Sequence, residues 1–166
     1  MQSIGRKFAV ILMALLPIGA GLACSLAAPL PPAEELVDSA TVIVRARAMG
    51  LSDNLSPAGG PASSNILVEF QVLRVLKGEL SSRVISFDGH IVSRNDFNEL
   101  PVPYPFIRPG GRSGNCYALE YRLGSQYLLI LRTPHNAEDA KTLTPYWSPL
   151  APTNEQIRGS QDPWLV

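Results

Sequence analysis

The sequence predicts an all-β domain, a barrel or sandwich of five to six short strands with short helices at its margins. Three observations predict it. Short runs rich in Val, Ile, Leu and aromatic residues alternate apolar with polar positions. Turn signals built on Gly, Pro, Asn and Ser separate those runs. Helix-like stretches occur only near the two ends, which fits an all-β layer architecture.

The chain opens with a segment of a different kind. Arg6 and Lys7 precede the apolar run of residues 8–16, and Pro17 and Gly19 break it before a small-residue exit. A bilayer span needs roughly 20 apolar residues, so this run reads as a secretory signal peptide over residues 1–23. Gly21 and Ala23 satisfy the small-x-small rule for cleavage before Cys24. Lipidation of Cys24 and cleavage further on, near Ala28, are the alternatives. The expected location is outside the cell or in the periplasm, with lipid anchoring in the cell envelope as the alternative. A membrane partner is expected only if Cys24 is lipidated.

Residues 24–166 then form one domain. Without Arg6 and Lys7, 12 basic residues face 14 acidic ones. That balance provides no basic footprint for nucleic acid or an anionic membrane. Cys24 and Cys116 are the two cysteines, and in an exported chain a pair reads as one disulfide. Lipidation would instead leave Cys116 alone.

Taken in order, residues 26–32 are a tether with three prolines, and Pro31-Pro32 lead into a short helix over 33–39 with Glu34 and Glu35 at its positive end. Residues 41–49 (TVIVRARAM) alternate as a half-buried strand, with Val42, Val44, Ala46 and Ala48 on one face. Residues 51–64 have no period and read as a loop. Residues 66–76 are the longest strand candidate, and burial changes sides partway, as at a bulge or a barrel bend. Lys77-Gly78 ends it in a turn. A short strand over 84–87 precedes a long connection, 88–115. Its second half, 101–114, holds four prolines and three glycines, which excludes regular structure. A loop of that length is more often functional than idle. Residues 116–121 and 126–132 read as a hairpin across 122–125. A strand over 143–147 and a helix over 153–158 capped by Thr153 complete the chain.

The side chains suggest binding rather than catalysis. His90 and His135 are the two histidines, both in loop-like contexts, with Asp88 and Asp96 near the first. No metal-ligand spacing, nucleophile elbow or phosphate loop occurs, so no enzyme activity, metal site or cofactor is expected. Arg108-Pro109-Gly110-Gly111-Arg112 reads as a solvated turn, with an anion nest formed by Arg108, Gly110, Gly111 and Arg112 as the functional alternative. Tyr104 and Phe106 are held between prolines, to pack the loop or to serve as rigid recognition aromatics.

The order of these features resembles the N-terminal domain of the tissue inhibitors of metalloproteinases, a netrin-like OB-fold barrel. The resemblance runs through residues 39–47 (SATVIVRAR), 75–78 (VLKG), 115–117 (NCY) and 126–130 (QYLLI), and so covers most of residues 24–166. The chain looks closer to exported bacterial members with few cysteines. The resemblance implies a bond between Cys24 and Cys116 and a protein partner. It also implies a binding edge of Cys24, Ser25, Ser113, Gly114 and Asn115. In the inhibitors the amine and carbonyl of the N-terminal cysteine chelate a protease's catalytic zinc, whose open position they fill; a zinc metalloproteinase is therefore the alternative partner. Ser25 matches the specificity position. The family's second cysteine is replaced by Leu26, and its other disulfides are missing.

Overall fold

The computed structural model describes residues 29–52, 66–134 and 142–165. The leader, Cys24, Ser25, His135 and most of the loop expected over 51–64 lie outside the described residues. The chain is mostly β with little helix. Its elements are α1 (Ala33–Ser39), β1 (Val42–Leu51), β2 (Leu67–Lys77), β3 (Val84–Asp88), β4 (His90–Val92), β5 (Glu120–Arg122), β6 (Gln126–Leu131) and β7 (Asn154–Ile157). Two 3-10 turns, Pro109–Arg112 and Pro163–Leu165, complete the list.

Five strands form one antiparallel sheet in the order β3-β2-β1-β6-β7, and β4 and β5 form a separate parallel pair. The expected barrel is not closed. Three register shifts interrupt the β1–β2 ladder, and such bulges bend and twist a sheet.

The sequence places β1 at the centre because both of its faces are apolar where it meets β6. Val42, Val44, Ala46 and Ala48 join Val68, Phe70, Leu129 and Tyr127 in the main core. Ile43 points the other way, into a second cluster with Leu36, Leu128, Ile130 and Ile157. β6 therefore lies buried on both faces, which explains its unbroken YLLIL run. Phe70 sits edge-on to Tyr121 and Tyr127, with ring centroids 4.9 and 5.8 Å away, a geometry that favours aromatic pairs.

The helix expected over 33–39 forms, buries Leu36, and receives Lys77 at its C-terminal end. The Lys77 ammonium donates to the carbonyls of Val37 and Asp38 at 2.7 and 2.8 Å, where a cation complements the helix dipole. Gly78 follows at φ +73, and a Cβ there would stand 2.2 Å from the Thr41 carbonyl oxygen. The Lys77-Gly78 pair thus locks α1 and the start of β1 against the end of β2.

Several expectations fail, each for a physical reason. Residues 116–121 and 126–132 do not make a hairpin ladder: β5 pairs in parallel with β4, while β6 pairs with β1 and β7. β4 arises inside the polar connection, because Gly89 lets the chain pass the Tyr121 ring; a Cβ at Gly89 would lie 2.6 Å from it. The strand expected over 143–147 reduces to an isolated bridge between Arg132 and Thr144. The helix expected over 153–158 is strand β7. A run this short cannot sustain an isolated helix, and pairing with β6 overrides the helix preference of Glu and Gln.

Candidate functional site

The long connection between β4 and β5 is fastened to β7 by buried polar groups. Asp96 enters first: its amide donates to Gln156 Oε1 at 2.6 Å. Arg108, the largest fully buried side chain, then inserts beneath the sheet with no exposed surface. Its Nε donates to the Asn154 carbonyl and one terminal nitrogen to the Ala118 carbonyl, both at 2.8 Å. The other terminal nitrogen is ion-paired with Asp96. The guanidinium carbon lies 5.1 and 5.4 Å from the Tyr121 and Tyr127 ring centroids, within cation–π range.

Glu155 completes the cluster from β7. Its carboxylate accepts from the Arg108 amide at 2.9 Å and from Asn98 Nδ2 at 3.0 Å. Asn98 also donates to the Phe106 carbonyl at 2.8 Å and accepts from Arg112 at 3.2 Å. Arg112 reaches back to the Ile107 carbonyl at 2.6 Å and covers the Phe106 ring. Glycine is required where the loop closes on itself. A Cβ at Gly110 would lie 2.6 Å from Asp96 Oδ2, and one at Gly111 2.6 Å from the Ile107 side chain.

Arg108 therefore meets two buried carboxylates, Asp96 through its guanidinium and Glu155 through its main-chain amide. Burial pushes the Glu155 carboxyl up to about 7, and Asp96 adds to the shift, against the opposing pull of Arg108 and the two hydrogen bonds. Burial works against the Arg108 charge, but Tyr121, Tyr127, Asp96 and Glu155 hold it above the ordinary arginine value. Tyr121 is pushed up to about 12, chiefly by burial. It shares a 2.5 Å hydroxyl contact with Tyr146.

Within the segment 108–112, Arg108 and the Gly110 amide are taken up by the chain's own Asp96 carboxylate, while the Gly111 amide donates to the Arg108 carbonyl. The Gly110 amide donates to both Asp96 oxygens, at 2.9 and 3.1 Å, and Arg108 is closed off from solvent. The solvated turn expected there is thus corrected, and Arg108 is not open to an external anion. Gly111 is also buried, leaving Arg112 exposed.

Beyond the clamp, Ser113, Gly114 and Asn115 are exposed and contiguous. The Ser113 hydroxyl donates to the Gly110 carbonyl at 3.0 Å, tying the run to the clamped turn. Cys116 follows at φ 62, and Leu150, from another part of the chain, stands at φ 61. Both occupy the left-handed region that bulky residues rarely adopt. The Leu150 amide donates to the Cys116 carbonyl at 2.7 Å, and the Ile107 amide to the Leu150 carbonyl at 2.8 Å. Of the expected edge, Ser113, Gly114 and Asn115 come together beside Cys116; the Cys24 and Ser25 part, and with it the pairing of Cys24 with Cys116, lies outside the described residues.

Other expected residues are placed as follows. Tyr104 is buried and stacks on Trp164, with centroids 4.7 Å apart, so it packs the loop. Phe106 is half-buried under Arg112. His90 is exposed at the start of β4, and Asp96 is engaged with Arg108 rather than with a histidine. Among the described residues no group of three or more His, Cys, Asp or Glu side chains could hold a metal. No helix among them is long and apolar enough to cross a membrane. A groove of about 490 Å³ borders the clamp, lined in part by Arg94, Glu99, Pro109, Ser113 and Arg158.

Asn98, Asn154, Glu155 and Gln156 were invisible as site residues. For the last three the one signal is the polar run Asn154-Glu155-Gln156 between Thr153 and Ile157 in β7, and Asn98 has none. No family model, no curated protein and no solved structure matches the chain.

Proposed function

We propose that this chain is an exported, non-enzymatic protein-interaction domain of the OB-like type found in the tissue inhibitors of metalloproteinases. Its binding edge is the exposed run Ser113-Gly114-Asn115 beside Cys116, completed by Cys24 and Ser25 once the leader is removed. A Cys24–Cys116 disulfide holds the new N-terminus against that edge. The fold reading draws support from the sheet order and the bulged β1–β2 ladder, since an OB-fold is itself a partly open five-stranded barrel.

The observation that carries the reading is the contrast around residue 114. Three exposed residues with no core role are held between a fully buried ion-pair cluster and two hydrogen-bonded residues in the left-handed region. Strain of this kind persists only where the surroundings over-determine it, and it gathers at functional sites. A pre-organised edge loses less entropy on binding.

The edge is tested by capturing partners from the extracellular or periplasmic fraction with residues 24–166, then titrating the recombinant partner. The expected result is a saturable one-to-one complex, weakened at least tenfold by the paired change Ser113→Glu and Asn115→Lys. Equal binding by that variant, with an unchanged melting temperature, overturns the edge. Titration of zinc metalloproteinases with the same material decides whether the partner is a protease whose zinc the Cys24 amine and carbonyl could chelate.

A further inference from the structure

We propose that Glu155 is a proton-operated latch on the connection that carries residues 107–115: the loop is closed most tightly with Glu155 protonated and loosens as the proton leaves. The argument starts from charge. Arg108 brings one positive charge into a site that Asp96 and Glu155 enter as two acids; Arg108 and Glu155 are fully buried, and Asp96 keeps 7% of its surface exposed. With both acids ionised the buried site carries a surplus negative charge, which low-dielectric surroundings penalise. One proton removes that surplus.

Of the two acids, Asp96 is the better served when ionised. It holds the Arg108 guanidinium itself and the Gly110 amide. Glu155 receives a main-chain amide and an asparagine, so the proton resides on Glu155. Among the described residues, the groups around it come from the connection, the sheet and the segment after β7. Arg108, Asp96, Asn98 and Tyr104 come from the connection. Tyr121 and Tyr127 act through Arg108, and Arg112 through Asn98. Arg158 lies just past β7, where its guanidinium reaches the Asn98 carbonyl and covers the Phe97 ring, while its main-chain amide donates to Asp162. None of them takes the place of the proton: Arg108 is ion-paired with Asp96, and the Arg112 and Arg158 guanidinium groups bond Asn98 rather than Glu155.

The sign follows from linkage. Glu155 sits near 7 in the closed loop and returns to an ordinary carboxylate value of about 4.3 when the loop opens to water. The extra stability of the closed form is complete below the open value. It is lost as pH rises to about 7, at up to about tenfold in the open-to-closed ratio per pH unit. The partner edge rests on the same loop, so, on the reading of residues 113–115 as that edge, binding weakens over the same interval. The latch itself does not need that reading.

The test uses residues 24–166 without a partner. The Glu155 carboxyl carbon is titrated by NMR, and amide-exchange protection factors, corrected for intrinsic chemistry, are followed from pH 4.5 to 8. The account expects a Glu155 midpoint well above the ordinary carboxylate value. It also expects protection of the Arg108, Gly110 and Gly111 amides to fall at least tenfold while that of Val44 and Ala46 in β1 stays level. In Glu155→Gln the loop amides should lose this dependence. A normal midpoint, flat loop amides, or an equal fall across β1 overturns the latch. Should the glutamine variant fold poorly, the wild-type titration alone decides. Loss of partner binding in the edge variant with the latch intact, or the reverse, separates the two proposals.

Discussion

Replacing Arg108 with methionine would leave Asp96 and Glu155 buried without their cation, in a pocket that Tyr121 and Tyr127 seal. Breaking a buried pair in this way costs about 3–5 kcal/mol, and urea denaturation at pH 7 should show a loss of that order. Arg108→Lys should recover little of it. The fork of donors to Asp96, Asn154 and Ala118 cannot be reproduced by one ammonium. Gly110→Ala tests the same site by shape: its methyl would press on Asp96 Oδ2, and overpacking of this kind costs about 1–3 kcal/mol. None of this could be read from residues 108–112 alone. An Arg-Pro-Gly-Gly-Arg run looks like a solvated turn, and its burial depends on acids 12 residues upstream and 47 residues downstream. The glycines were legible as a tight turn; the Asp96 carboxylate that the Gly110 amide meets was not.

The strands were legible where burial is apolar and obscure where it is polar. β1 and β6 announce themselves because alternate or continuous Val, Ile, Leu and Tyr residues face the two clusters. β7 hides because its Asn, Glu and Gln side chains are buried against polar partners, so its sequence carries no apolar period. β4 is obscure for a different reason: its parallel pairing with β5 is a long-range event with no local turn to signal it. At this scale Phe70→Ala should be among the most damaging core changes, since the ring is fully buried against Phe87, Tyr121 and Tyr127. A loss of about 3–5 kcal/mol is expected by thermal or chemical denaturation. Gly78→Ala, although on the surface, should cost well over the usual helix-scale penalty of about 1 kcal/mol, because the new methyl meets the Thr41 main chain rather than a movable side chain.

For the whole molecule, the proposal of an exported domain with a pinned N-terminus rests on the expected leader, the cysteine pair and the resemblance carried by residues 39–47, 75–78, 115–117 and 126–130. The structure adds a clamp that the sequence does not reveal, and Ser113, at the head of the run 113–115, is hydrogen-bonded to it. If Cys24 and Cys116 are bonded, the bridge closes a loop of roughly 90 residues, worth about 4–5 kcal/mol in the chain-entropy view. Cys116→Ala should then lower stability by a comparable amount, and an unchanged denaturation midpoint would remove the staple. The most direct measurement of the central claim is a calorimetric titration of the captured partner into residues 24–166, in parallel with the Ser113→Glu/Asn115→Lys variant. The account predicts one-to-one binding by the wild type and at least a tenfold loss in the variant at equal thermal stability. Equal affinity for the two proteins would contradict it.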